Sequence, residues 1–277
     1  MNISVIIPVH ECDDNVTPLL TRAVDSIERQ KDVDTLPVIY VVHPVAIKEC
    51  VNGWKDSMIR KHEKFNFENI VLVENEGKTD YQAQVNLGVK LVTTDYFSVL
   101  EFDDEYGDSY FKNASSYTVA YPEIDFFMTM MIEVNEKNEG IKMTNETVWA
   151  QQFVGENGEM GYLNANALKQ YTDFKLSGAV LNKSEFENIG GYKSNIKLTF
   201  MYEFLLRALN NTCKIYSIPK IGYKHLATRE GSLFDDYQKN MNVNERKFWF
   251  ETATKESNFV NDRVIDMSGL EVVVAEK

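Results

Sequence analysis

The chain has 277 residues, 44% hydrophobic and 26% charged, the balance of a globular protein and not of a disordered or collagen-like one. Its 29 basic and 42 acidic residues leave a net charge of −13. A field of that sign repels nucleic acid and anionic membranes, because binding to either needs Lys and Arg to replace phosphate counterions.

The first hundred residues alternate strand and helix. Ile3–Pro8 is a short continuous apolar run, the pattern of a strand buried on both faces of a parallel sheet. Thr17-Pro18 reads as an N-cap followed by Pro at the first helical position, and Leu19, Leu20, Ala23, Val24 and Ile27 then recur at helical spacing. Pro37–Val42 is a second buried strand, 46–62 a helix interrupted by Gly53, and Ile70–Val73 a third strand. Asp80–Val92 is an amphipathic helix with Tyr81, Val85, Gly88, Val89 and Val92 on one face. Tyr96–Phe102 is a fourth strand that runs into Asp103-Asp104-Glu105. This order predicts a twisted, mostly parallel α/β sheet with right-handed crossovers, and such sheets bind ligands at the carboxyl ends of their strands.

Beyond Asp104 the rhythm changes. Tyr106–Tyr121 reads as a helix, Ile124–Val134 as a strand, Asn135–Gly140 as a turn, and 145–173 as loop with at most one helix. Phe174–Leu181 is expected to be a strand, Lys183–Ile189 a short helix stopped by Gly190-Gly191, and Thr199–Asn210 a helix. Lys214–Tyr223 holds one or two strands, Phe234–Lys255 one long surface helix, and Leu270–Ala275 an edge strand in the tail. One compact unit in two halves, 1–104 and 105–230, followed by a C-terminal helix and tail over 231–277, is the economical division.

Cys12, Cys50 and Cys213 are odd in number and far apart, which predicts neither a disulfide framework nor a zinc site. The N-x-S/T sequons at Asn15, Asn113, Asn145, Asn182 and Asn210 carry little weight in an Asn-rich chain without a basic, apolar leader. No stretch approaches the roughly 18 apolar residues of a membrane helix. The expected home is a reducing cytoplasm.

Leu100–Glu105 is an acidic cluster at a strand end. Carboxylates two residues apart, such as Glu101 and Asp103, project to one side and can share a hard divalent cation, Mg²⁺ or Mn²⁺, which neutralises a departing diphosphate. A solvated acidic turn is the other reading. Four segments set the cluster in context: ISVIIPVHE at the start, QVNLGV (Gln84–Val89), FSVLEFDDEY (Phe97–Tyr106) and SGAVLNKSEFENIGGY (Ser177–Tyr192). In this order they resemble the family 2 glycosyltransferases over roughly residues 1–230. The resemblance implies a GT-A-like, Rossmann-like fold, with 1–104 holding a nucleotide-sugar donor and 105–230 forming an acceptor-side mixed α/β half.

The family's D-x-D-D is matched by Glu101-x-Asp103-Asp104, its Asn-x-Gly by Asn86-x-Gly88, and its basic-x-His segment by Tyr223–Ser232. The resemblance implies that Pro8, Val9, Glu11 and Asn86 help to bind the donor. Glu101 would face the ribose or a metal-bound water. Asp103 would bind the metal, His225 the metal or the diphosphate, and Arg229 the phosphates, while Asp104 completes the motif as a catalytic residue. His10, His43 and His62 are expected to be structural.

Two positions depart from the pattern. After the second strand, Val42-His43-Pro44-Val45 has no carboxylate for a nucleobase, so the base would be read by backbone near Pro8–His10 and by side chains near Glu74–Lys78. Where the family carries its acceptor-side base, this chain has Phe200-Met201, and neither side chain takes a proton. Glu203, nearby, is either the general base or a helical partner of Arg207; as base it needs a helix that starts at or just before it, and Asp235 and Asp236 are the remote alternatives.

The expected activity is therefore metal-dependent, inverting transfer of a sugar from a nucleotide-diphosphate donor to a hydroxyl acceptor. The sequence leaves that acceptor open among a glycan, a lipid-linked sugar, a protein and a modified nucleobase. A degenerate binder of nucleotide or glycan is the alternative. A sugar-phosphate nucleotidyltransferase ranks lower, because PVHECDD lacks the Gly of a phosphate loop.

Overall fold

The structure, a computed structural model, describes residues 2–61, 67–146, 161–170, 172, 174–227 and 229–259. β1 (Ile3–Pro8) is buried along its whole length. Ile3, Val5 and Ile7 enter one hydrophobic core and Ile6 the other, because successive side chains of a strand point to opposite faces. β1 pairs in parallel with β2 (Ile39–Pro44) and with β4 (Tyr96–Val99), and β2 pairs in parallel with β3 (Ile70–Asn75). α1 (Val16–Glu28) and α2 (Lys48–Lys61) cover one face, and α3 (Tyr81–Leu91) covers the other. Asp80 caps α3 by accepting the N–H of Ala83 at 2.9 Å. A Cβ at Gly88 would lie 2.7 Å from Ile6, so only glycine lets this helix sit so close to β1.

The second half extends the same sheet. β5 (Glu105–Tyr106), β6 (Phe126–Val134), β7 (Gly140–Thr144), β8 (Val180–Asn182) and β9 (Ile215–Leu226) join it in the order β3-β2-β1-β4-β8-β6-β9-β5, with β7 on β6. β8 runs antiparallel to β4 and β6, while β6 and β9 are parallel. Among the described residues, the helices of this half are α4 (Tyr110–Ala120), α5 (Ala165–Gln170), α6 (Lys183–Asn188) and α7 (Phe200–Asn210), and the C-terminal part adds α8 (Leu233–Asn240) and α9 (Val243–Thr254). The architecture is the expected GT-A-like α/β sheet, mixed and not purely parallel.

Several boundaries differ from expectation. β4 ends at Val99, and the acidic segment is a turn closed by the N–H of Asp104 donating to Glu101 O at 3.0 Å. The apolar run 174–181 supplies only a short strand at its end, because Gly178 at φ +70° turns the chain. The segment after Cys213 is one long strand. The expected long helix is two, divided at Met241 and restarted by Asn242, whose side chain accepts the N–H of Glu245. The tail strand at 270–275 lies outside the described residues.

The cysteine expectation also needs correction. Cys12 and Cys50 form a disulfide across a sequence separation of 38, with Cα atoms 6.0 Å apart. Neighbouring parallel strands place the segments that follow them side by side, which spacing along the chain does not reveal. Cys213 is free and buried. Among the described residues, no helix is long and apolar enough to cross a membrane.

Candidate functional site

The carboxyl ends of β1 and β4 open onto a cavity of about 440 Å³. Pro8, Glu101, Asp103, His225 and Arg229 all line it. The turn after β4 turns Glu101 and Asp103 toward the cavity and Asp104 back toward the end of β9. Asp104 is fully buried there. Its carboxylate accepts from Leu226 N–H at 2.8 Å and pairs with His225 Nδ1 at 2.9 Å. Burial alone would lower the His225 pKa, but the Asp104 carboxylate against Nδ1 outweighs it and pushes the imidazole up to about 9.

Glu101 accepts a short hydrogen bond from Ser177 Oγ, and its backbone N–H donates to the Tyr223 hydroxyl at 3.1 Å. Burial, then the charge of Asp104, raises its carboxyl to about 7. Tyr223 is packed against Gly178, where a Cβ would lie 2.2 Å from the ring. The Tyr110 hydroxyl donates to Gly178 O at 2.9 Å, which ties this support to α4. Asp103 accepts from Arg229 Nε at 2.6 Å, and Arg229 Nη1 reaches Glu11 at 3.0 Å. The guanidinium also lies 5.0 Å from the centre of the Phe102 ring. Burial, then Asp104, raises Asp103, while Arg229 opposes the rise.

Glu101, Asp104 and His225 offer ligand atoms within 4.8 Å of one another. Two carboxylates and an imidazole suit Mn²⁺ or Mg²⁺, so this donor set fits the expected cation. Its membership differs from the expected pair of Asp103 and His225: Asp104 belongs to it, and Asp103 is engaged by Arg229 instead.

Other expected residues stand elsewhere. Val9 is buried in the core, its N–H on Val42 O at 2.8 Å, and does not line the cavity. Glu11 stands in the loop after β1 and reaches the site through Arg229 at 3.0 Å and through His10 Nε2 at 3.6 Å. Asn86 bridges to the backbone of Tyr192, donating to its oxygen at 2.7 Å and accepting from its N–H at 2.9 Å; it is a brace between α3 and the segment after α6.

Glu203 requires the largest correction. α7 starts at Phe200, not at Glu203, which turns the Glu203 side chain away from the cavity and into the protein. There it is 0% exposed and accepts from Arg207 Nε at 2.8 Å and Nη2 at 3.0 Å, with Lys193 Nζ at 3.3 Å. Arg207 also donates to the carbonyls of Ile189 and Gly191, so the group is a buried structural network.

The structure corrects His10, which was expected to be structural, and adds Glu133, which the sequence reading did not single out. His10 lines the cavity, tilted against Phe102 at 5.2 Å, and burial lowers its pKa. Glu133, in the strand β6, lines the cavity in register with His225. Lys175 Nζ holds it at 2.8 Å and Lys142 Nζ at 3.6 Å. A charged residue breaking the apolar run of Phe126–Val134 was the available signal.

No protein-family model matches the sequence, and no curated protein matches it. Solved structures do. The chain is similar to Staphylococcus aureus TarS residues 1–349, with a TM-score of 0.62 and 14% identity over 94% of this chain and 83% of that one. The same fragment in complex with UDP-GlcNAc gives a TM-score of 0.62 at 14% identity, covering 94% and 84%. Its complex with UDP gives 0.61 at 14% identity, covering 94% and 83%. At that identity the likeness is one of fold.

Proposed function

We propose that the chain is a glycosyltransferase that moves a sugar from a nucleotide-diphosphate-sugar to a hydroxyl acceptor, with inversion. The observation that carries this reading is the convergence of Glu101, Asp103, His225 and Arg229 on one cavity at the carboxyl ends of β1 and β4, with the buried Asp104 behind them against His225. The TarS fragment of similar fold was solved with UDP-GlcNAc, which supports a nucleotide-sugar donor. Residues 1–104 would hold that donor and 105–230 the acceptor.

In the transfer, the acceptor oxygen bonds to the anomeric carbon as the bond to the diphosphate breaks, and the electron pair leaves with the diphosphate. Arg229 carries positive charge on the phosphate side and can exchange Asp103 for a phosphate with bidentate geometry. A Mn²⁺ or Mg²⁺ ion held by Glu101, Asp104 and His225 would supply further charge against the diphosphate. Glu133 is the cavity carboxylate on the acceptor side, and it takes the acceptor proton in place of Glu203.

The Phe200-Met201 pair, where a base is expected, favours a second reading: a donor-binding protein without turnover. A thermal-shift screen of nucleotide-sugars with and without Mn²⁺, followed by donor hydrolysis, separates the two. A true donor raises the melting temperature, because it binds the folded state alone. Turnover supports the enzyme, and a shift without any turnover supports the binder. If no nucleotide-sugar shifts the transition, both readings fail.

A further inference from the structure

Tyr81 stands where the two halves of the chain meet. It is the first residue of α3, and its ring lies 5.4 Å from that of Phe200, the first residue of α7. Both side chains line the cavity, together with Pro8 and Glu101. The start of α3 is fixed from several sides. Asp80 caps it, Gln82 Nε2 donates to Ile196 O at 2.6 Å, and Asn86 grips the backbone of Tyr192. The Tyr81 side chain is half-buried and its hydroxyl oxygen is buried, yet that oxygen has no hydrogen-bond partner. Among the described residues, no other side chain lining this cavity carries a buried polar atom without a partner.

A buried hydroxyl without a partner is destabilising, because folding takes its water away and returns nothing. Neighbouring tyrosines escape that penalty. The hydroxyls of Tyr106 and Tyr110 donate to Ser98 Oγ, and that of Tyr223 accepts the Glu101 N–H. A phenylalanine at position 81 would keep the ring contact with Phe200 and lose nothing, so packing does not account for the oxygen. A ligand in the cavity does.

The surroundings select which part of a nucleotide-sugar meets it. Glu101 and Asp104 act on this hydroxyl with negative charge, which disfavours a diphosphate beside it. The phosphates are matched by Arg229, which lies against Phe102 and Glu11. A nucleobase would sit within the donor half. The transferred sugar must lie where both halves reach it, because its anomeric carbon passes from the diphosphate to the acceptor, and Tyr81 with Phe200 spans that junction. A sugar hydroxyl both donates and accepts, so it can pair with the Glu101 carboxylate and the Tyr81 hydroxyl together.

We infer that Tyr81 determines specificity for the transferred sugar, its hydroxyl donating to a sugar hydroxyl beside Glu101. The inference rests on the glycosyl-transfer reading above. The oxygen is covered in the free chain, so the contact forms as the wall adjusts around the bound donor. A site built to pair a substrate hydroxyl rejects a sugar that lacks one there, because its own polar group then stays unpaired.

The test uses the full chain with Mn²⁺. UDP-GlcNAc, UDP-glucose, UDP-galactose and GDP-mannose are titrated by calorimetry into wild type and Tyr81→Phe, each beside its own nucleoside diphosphate, UDP or GDP. For the nucleotide-sugar that wild type binds, Tyr81→Phe should raise the Kd about tenfold. The Kd of the matching diphosphate should stay within about twofold. The free variant should melt at the wild-type temperature or above it, because it no longer carries an unpaired hydroxyl.

Equal weakening of nucleotide-sugar and diphosphate places Tyr81 on the nucleotide and overturns the inference. Unchanged affinity for both overturns it as well; a lower melting temperature in that case identifies a structural tyrosine. If no nucleotide-sugar binds wild type, the glycosyl-transfer reading itself fails.

Discussion

Replacing Glu203 by Gln removes the negative charge at the centre of a buried network. Arg207, 0% exposed, then keeps the carbonyls of Ile189 and Gly191 but loses a bidentate carboxylate. Lys193, also buried, loses its ion pair at 3.3 Å. Removing one partner of a buried pair costs about 3–5 kcal/mol, because the remaining charge stays desolvated. Gln retains one acceptor oxygen, which places the variant near about 3 kcal/mol. Against a typical total of about 5–15 kcal/mol, that is a large fraction of the stability. In a chain this long it lowers the melting temperature by roughly 6–12 °C. Urea unfolding followed by circular dichroism measures the cost directly. Donor turnover per folded molecule should fall by much less than the general-base factor of about 10²–10⁴. The reasoning is refuted if Glu203→Gln unfolds within about 1 kcal/mol of wild type yet loses turnover at least about 10²-fold, since Glu203 would then be acting on substrate.

Reducing Cys12–Cys50 releases a loop of 38 residues, which by chain entropy costs at most about 4 kcal/mol. Thiol titration of the denatured, unreduced protein should find Cys213 alone; three reactive thiols would show that the bond does not form. Gly178→Ala should destabilise by about 1–3 kcal/mol through overpacking on Tyr223, plus about 1–2 kcal/mol for its φ of +70°. It should also weaken donor-induced stabilisation, because Tyr223 supports the Glu101 backbone. In metal-free buffer the His225–Asp104 pair should give a pH dependence. The folded pKa of His225 lies above its ordinary 6.5, at about 9, so its contribution is complete below about pH 6.5 and lost as pH rises through about 9. The wild-type urea midpoint should approach that of His225→Gln over that interval; an unchanging gap would mean that the imidazole is not charged in the folded protein.

Much of the architecture is local information. The apolar run Ile3–Pro8, the helical spacing over Asp80–Val92 and the run Ile124–Val134 each state a period and a degree of burial, and the strands and helices follow. The acidic cluster was legible too, because carboxylates at the end of a buried strand have no core to enter. Which way each carboxylate points is a different kind of fact. Asp104 turns from the cavity because the backbone N–H of Leu226 and the ring of His225, over a hundred residues away, stand behind it. Glu203 was read with the one partner that helical spacing reveals, Arg207. Lys193 and the carbonyls of Ile189 and Gly191 come from other segments, and they decide that the side chain is buried and fully paired. Asn86 has a motif's spacing but spends its amide on Tyr192. Glu133 lay hidden in a core strand until β9 brought His225 beside it, and Cys12 met Cys50 only once β1 and β2 were paired. Periodicity along the chain specifies an element and its apolar face. The partner of a charge or a thiol is set by which elements pack together, and that exists only in the folded protein.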